Sequence, residues 1–277
     1  MHTNYVISLT NAHRRREHII KEFGRQNIPF EFFDALTPSK YLDDTINTYL
    51  PNLAQASLSA GEKACFMSHF ILWQKCLNEN LPYLFIFEDD ILLGKNANAF
   101  LNDEKWLEDR FDLTDSFILR LETFLQPAKC EKTKITPYLE REFNSLKQVH
   151  YGTAGYIISQ QAIKNLINTF RQYNSNDLKP IDMILFCKSL NDPQQNIFQQ
   201  SPALCVQELQ FNQNKSQLKS QLEQERIHIR QQNKTIKPKR TFKEKLQRLK
   251  HNIIRALKKY QRIKQRQEAL KHIIPFK

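Results

Sequence analysis

The chain has 277 residues, 40% hydrophobic and 11% aromatic, which is enough apolar surface to close one large core and excludes a chain disordered throughout. The net charge of +12 is uneven: residues 213–277 carry 20 Lys and Arg against 4 Asp and Glu, a net of +16, which leaves −4 on residues 1–212. The basicity therefore belongs to the last 65 residues, and the acidic balance before them fits an electrostatic nucleic-acid groove poorly.

In chain order, "YVISL" (5–9) reads as a strand and 14–26 as a helical pattern. "FEFFDAL" (30–36) is a strand, 60–80 helical, 83–88 a strand, 97–111 helical and 116–123 a strand. Then come a strand at 147–158, helical patterns at 160–173 and 181–190, and a strand at 202–207. This alternation predicts an α/β domain over 1–212 with a largely parallel sheet, whose ligands bind outside the carboxyl ends of the strands. Residues 212–240, rich in Gln, Asn and Lys, read as a linker or a marginal helix. Beyond them Phe242, Leu246, Leu249, Ile253, Leu257 and Tyr260 recur at helical spacing among Lys and Arg, so 213–277 is expected to be a basic amphipathic extension suited to an anionic membrane surface.

No run reaches the roughly 18 apolar residues of a membrane-spanning helix, and "MHTNYVISL" has no signal-peptide pattern, so none is expected. Cys65, Cys76, Cys130, Cys187 and Cys205 show no CxxC or Cys/His metal spacing and read as reduced residues of a cytosolic protein, without disulfides or structural zinc.

"YLFIFEDDILL" (83–93) ends a buried-strand pattern in three consecutive acids. An unpaired buried carboxylate is costly, so these acids belong where the strand leaves the core, or opposite a cation. Glu88 and Asp90 share one face of a strand and suit a hard divalent ion that leaves positions open for phosphate oxygens. A departing nucleotide diphosphate needs such an ion. A solvated turn or a helix cap would use the same three letters.

Other positions stand out by type and place. Ser8 and Leu9 end the first strand, where backbone groups are exposed to a base edge. Arg14, Arg15 and Arg16 follow on the first helix, where a guanidinium matches phosphate or simply faces water. Glu62, Cys65, His69, Leu72 and Cys76 fall on one helical stripe facing the interior, so His69 is either a core histidine or a pocket residue. Gly152 and Gly155 in "GTAGY" mark a bulge or a close ligand approach. Asp182, after Pro180, is placed to cap a helix or to act as a base, with Glu122 at the end of "RLET" as the other carboxylate.

Eight blocks stand in register over about 4–210: "VISLTNAHRRREHI" (6–19), "FFDAL" (32–36), "LSAGEKACFMSHFILWQKC" (58–76), "FIFEDDILL" (85–93), "RLET" (120–123), "GTAGYIIS" (152–159), "PIDMIL" (180–185) and "PALCVQ" (202–207). In this order they resemble glycosyltransferase family 25, in its bacterial lipooligosaccharide β-1,4-galactosyltransferase branch. The resemblance implies a GT-A-like (Rossmann-like) nucleotide-diphospho-sugar transferase domain, a UDP-hexose donor, inversion at the anomeric carbon and Mn2+ or Mg2+. It implies Asp90 and Glu88 as metal ligands, and Ser8, Leu9, Arg14, Arg15, Glu62, His69, Glu88, Asp89, Gly152, Thr153 and Gly155 on the donor. Asp182 would be the base, with Glu122 its substitute. The partners implied are a UDP-sugar, a lipooligosaccharide acceptor and the inner face of the inner membrane, reached through 242–277. UDP-glucose as donor, or a non-enzymatic nucleic-acid- or membrane-binding role of the basic tail, are the alternatives.

Overall fold

The structure, a computed structural model, describes residues 3–212, 216, 218 and 272–277. "YLFIFE" forms β3 (Tyr83–Glu88) inside the sheet. Successive side chains of a strand point to opposite faces. Accordingly Tyr83, Phe85 and Phe87 enter one core, with Ile19, Phe23 and Phe100, while Leu84 and Ile86 enter a second, with Phe66, Trp73 and Ile163. A sheet covered on both faces is why this strand is apolar without alternation.

β1 (Asn4–Ser8) lies parallel to β3 and to β2 (Glu31–Asp34), with Ile7 paired to Glu88. On the other side of β3, β9 (Gly155–Ser159) runs antiparallel and pairs with β5 (Phe117–Arg120). β10 (Asn196–Ser201) is parallel to β5, and antiparallel β8 (Glu142–Leu146) and β7 (Cys130–Glu131) complete the order β2-β1-β3-β9-β5-β10-β8-β7. The sheet is thus mixed, where a largely parallel one was expected. A continuously buried apolar run reads the same in either chain direction, so the sequence pattern does not register that β9 runs backwards.

A second sheet has the order β4-β11-β6, from β4 (Ile91–Leu93), β11 (Cys205–Gln207) and β6 (Glu122–Thr123). The expected strand 116–123 divides at Leu121, whose amide donates to Gly155 in the large sheet while its carbonyl accepts from Leu204 and Cys205. Likewise 147–154 is a loop leading into β9.

Helix α1 (His13–Gly24) packs Ile19 and Phe23 on one face of the sheet; α2 (Lys40–Tyr49), α3 (Ala60–Asn78) and α6 (Gln160–Gln172) cover the other. The expected helix 97–111 is two short ones, α4 (Ala97–Leu101) and α5 (Lys105–Glu108), because the Asp103 carboxylate takes the Lys105 amide between them. The expected helix 181–190 is a chain of short turns: Ile181–Met183, a π turn at Ile184–Lys188 and a 3-10 turn at Ser189–Asn191.

One compact unit comprises Met1–Lys219 with Ile274–Lys277. Its last four residues return to the domain: Ala203 donates to the Pro275 carbonyl (2.7 Å), Thr123 to that of Ile274 (2.8 Å), and Arg141 to that of Lys277 (2.7 Å). The other unit is Ser220–Ile273. The amphipathic helix expected at 242–260 lies outside the described residues, and so does most of the expected linker.

Candidate active site at the carboxyl edge of the sheet

Parallel pairing of β1 with β3 carries Ser8 beside the acids that follow Phe87. The Ser8 hydroxyl donates to Asp89 Oδ2 (2.7 Å), and Arg15, one turn into α1, donates to Asp89 Oδ1 (2.5 Å) and reaches Asp90 Oδ2 (3.2 Å). The acids therefore sit where the strand leaves the core and also face a cation. Arg15 does not satisfy them fully: Asp90 Oδ1 is buried with no hydrogen-bond partner among the described residues. Burial pushes the Asp90 carboxyl up to about 7; Arg15 opposes this, while the Glu88 and Asp89 charges add to it.

Glu88 is less enclosed, its side chain 24% exposed. Thr153 Oγ1 donates to its Oε1 (2.6 Å), and Gln207 Nε2 reaches Oε2 (3.5 Å). Burial acts to raise this carboxyl, but His69, Thr153 and Arg15 together hold it below the usual carboxylate value. Glu88 and Asp90 offer carboxylate oxygens of the kind Mn2+ or Mg2+ takes, and the orphaned Asp90 oxygen fits such an ion.

The other expected donor residues fall into two groups. Arg15, His69 and Thr153 surround the acids directly. Arg14 is exposed on the outer side of α1. Glu62 closes a capping box with Ser59 at the start of α3, each accepting from the other's amide. At Gly155 a side chain would meet Cys205 Sγ and the Phe87 ring, so close packing accounts for that glycine. Ser8 and Leu9 each have a carbonyl that already accepts two hydrogen bonds: Ser8 from Ala35 and Arg16, Leu9 from Ala12 and Arg16. These bonds pin the turn that joins β1 to α1.

The two candidate bases meet at Gly152. Its φ of +88° suits glycine, and a Cβ there would lie 2.5 Å from Glu122 Oε1. Its amide donates to Asp182 Oδ2 (3.4 Å). Asp182 is half-buried, its Oδ1 accepting from the Met183 amide (2.8 Å). Glu122 is wholly buried against Arg120, which donates to Oε1 (2.7 Å). Burial pushes the Glu122 carboxyl up to about 8; Arg120 opposes and the Glu88 charge adds. A base must touch the acceptor, and Asp182 is the one of the two with exposure to do so.

Several residues at this edge carried no signal in the reading of the sequence. Arg120 is fully buried and held by Gln199 Oε1 (3.1 Å), the Glu122 carbonyl (3.0 Å) and the Tyr151 carbonyl. Tyr156 Oη receives Trp73 Nε1 (3.2 Å) and bonds His69 Nδ1 (2.8 Å). Gln207 closes the "PALCVQ" block. The Arg of "RLET" and the Tyr of "GTAGY" were on view in the sequence, but only folding shows that the first holds Glu122 and the second holds His69.

The sequence profile of Glycosyltransferase family 25 (LPS biosynthesis protein) matches residues 1–185. The chain is 50% identical over 277 residues to lipooligosaccharide biosynthesis protein lic2B of Haemophilus influenzae, covering 100% of both chains. It is 45% identical over 293 residues to lipooligosaccharide biosynthesis protein lex-1 of the same species, covering 95% of this chain and 96% of the relative. To the lacto-N-neotetraose biosynthesis glycosyltransferase LgtB of Neisseria meningitidis serogroup B it is 42% identical over 279 residues, covering 99% of each.

Proposed function

The chain belongs to glycosyltransferase family 25, and from that premise we propose that it moves galactose from UDP-galactose onto a sugar of lipooligosaccharide, inverting the anomeric centre and forming a β-1,4 linkage. The names of its relatives support the pathway and the acceptor class: two are lipooligosaccharide biosynthesis proteins and one is a glycosyltransferase of lacto-N-neotetraose biosynthesis. The observation that carries the reading is the buried Asp90 Oδ1, without a hydrogen-bond partner among the described residues, at the carboxyl end of β3 in the mixed sheet.

In this reading Asp90 and Glu88 hold Mn2+ or Mg2+, which when bound neutralises charge developing on the departing diphosphate. Arg15 keeps Asp89 and Asp90 in place, and Ser8 fixes Asp89 from β1. Helix α1 starts directly after β1 with no acid in its first turn, so its positive end favours the diphosphate. Thr153 and Gln207 set the orientation of Glu88. Asp182, steadied by the Gly152 amide, takes the proton of the acceptor hydroxyl as that oxygen attacks; such a base contributes about 10²–10⁴ in rate.

Turnover of UDP-galactose and UDP-glucose on a truncated lipooligosaccharide, with and without Mn2+, tests this. Galactose transfer is expected to depend on the ion and to fall by about 10²-fold or more in Asp90→Asn, as when a preorganised charged group is removed from a transition state. Equal rates in the variant would remove Asp90 from the mechanism, and preferred use of UDP-glucose would overturn the donor.

A further inference from the structure

A donor cluster of a different character adjoins the acids. Cys65 and His69 stand one turn apart on the same face of α3, and the tertiary fold brings Glu88 of β3 against them. One ligand atom from each lies within 4.8 Å of the others. His69 is 1% exposed, and its Nε2 has no hydrogen-bond partner among the described residues although Glu88 Oε1 is 3.9 Å away. A buried ring nitrogen left in this state costs free energy unless a ligand takes it.

We infer that Cys65, His69 and Glu88 form a site for a thiol-seeking divalent cation of the zinc class, separate in chemistry from the oxygen pair that suits Mn2+ or Mg2+. The donor set of sulfur, imidazole nitrogen and carboxylate oxygen is one that zinc takes and that hard cations do not favour. Around a tetrahedral ion with bonds of about 2.0–2.3 Å, donors stand roughly 3.3–3.8 Å apart, so the cluster needs to close by about 1 Å. The supporting contacts are already built. Binding at Nε2 requires the proton on Nδ1, and Tyr156 Oη stands 2.8 Å from Nδ1 to accept it. Thr153 holds Glu88 Oε1 at 2.6 Å. Cys65 and Glu88 are both partly exposed, which gives an ion an entry and leaves a fourth position for water.

Binding deprotonates the Cys65 thiol, and the proton goes to solvent as the sulfur–metal bond forms. Because the ion takes an oxygen of Glu88, zinc withdraws that carboxylate from the donor site and inhibits transfer. The inference thus goes beyond the proposed reaction and leans on it only for this consequence.

The test titrates the chelator-treated full-length protein with Co2+ and records the thiolate-to-cobalt charge-transfer absorption. One equivalent per chain is expected, with the band lost in both Cys65→Ser and Cys65→Ala. Absence of the band in the unsubstituted protein would overturn the site. Persistence of the band in folded Cys65 variants would also overturn it. In a galactosyl-transfer assay with Mn2+ present, Zn2+ is expected to inhibit, and Cys65→Ser to require at least about tenfold more of it. Equal inhibition of the two would refute the link to Glu88. The absorption reading needs no sugar donor, so a wrong donor assignment leaves it standing, and a missing band leaves the transferase reading intact.

Discussion

Burial pushes the Glu122 carboxyl up to about 8, against 4.5 for an ordinary glutamate, although Arg120 opposes the rise. The folded state therefore binds this proton more tightly than the unfolded chain does. The stabilisation is fully present below pH 4.5 and is lost as pH rises through about 8. Glu122→Gln removes the titration, so the stability of the variant relative to the parent should improve between pH 5 and pH 8.5 by an amount on the order of 1 kcal/mol or more, read from urea denaturation at both pH values. A gap that does not change with pH would mean that Glu122 is already ionised in the fold. Gly152 makes a second prediction at this scale. Alanine there must hold φ near +88° and press its Cβ on Glu122, so Gly152→Ala should cost about 1–3 kcal/mol. It should also lower kcat by disturbing the amide that steadies Asp182. A thermal shift and a rate on the same sample check both parts.

Helix α3 and strand β3 were legible because each states its structure locally. "SLSAGE" carries both halves of a capping box, Ser59 and Glu62, ahead of a long apolar stripe. Ser59→Ala should therefore cost about 1 kcal/mol, seen as a shift in denaturant midpoint with unchanged slope; no shift would deny the cap its role. Elements defined by distant partners were not legible. β10, "NIFQQS", does not read as a strand, since Gln199 and Gln200 belong to a polar sequence. Both are nevertheless fully buried, Gln199 because Arg120 and the Glu122 carbonyl occupy its amide. α2, "KYLDDTINTY", buries only Leu42, Thr45 and Ile46, a short apolar face within a polar sequence.

For the whole molecule, the net −4 of residues 1–212 and the net +16 of residues 213–277 set the two segments apart in charge. Among the described residues no helix is long and apolar enough to cross a membrane. The proposed attachment is a basic amphipathic face in 242–262, on which each Lys or Arg near an anionic leaflet contributes about 1 kcal/mol. The full chain should sediment with anionic vesicles, release them as salt rises, and ignore neutral ones; binding to neutral vesicles alone would defeat the idea. Cutting the chain at 212 is a poor version of this experiment. It also removes Ile274 from the core and the Lys277 carbonyl from buried Arg141, so that truncation should lower Tm, whereas reversing charges in 242–262 should not. The order of its blocks let the sequence by itself determine the family and the alternation of strands and helices, and it singled out the acids as the candidate site, since each is written in neighbouring residues. The tertiary structure alone decided the direction of β9, the enclosure of Glu122 and the meeting of Cys65 and His69 with Glu88. Those depend on pairings between segments far apart in the chain, and a local pattern carries no information about which distant surface will close over it.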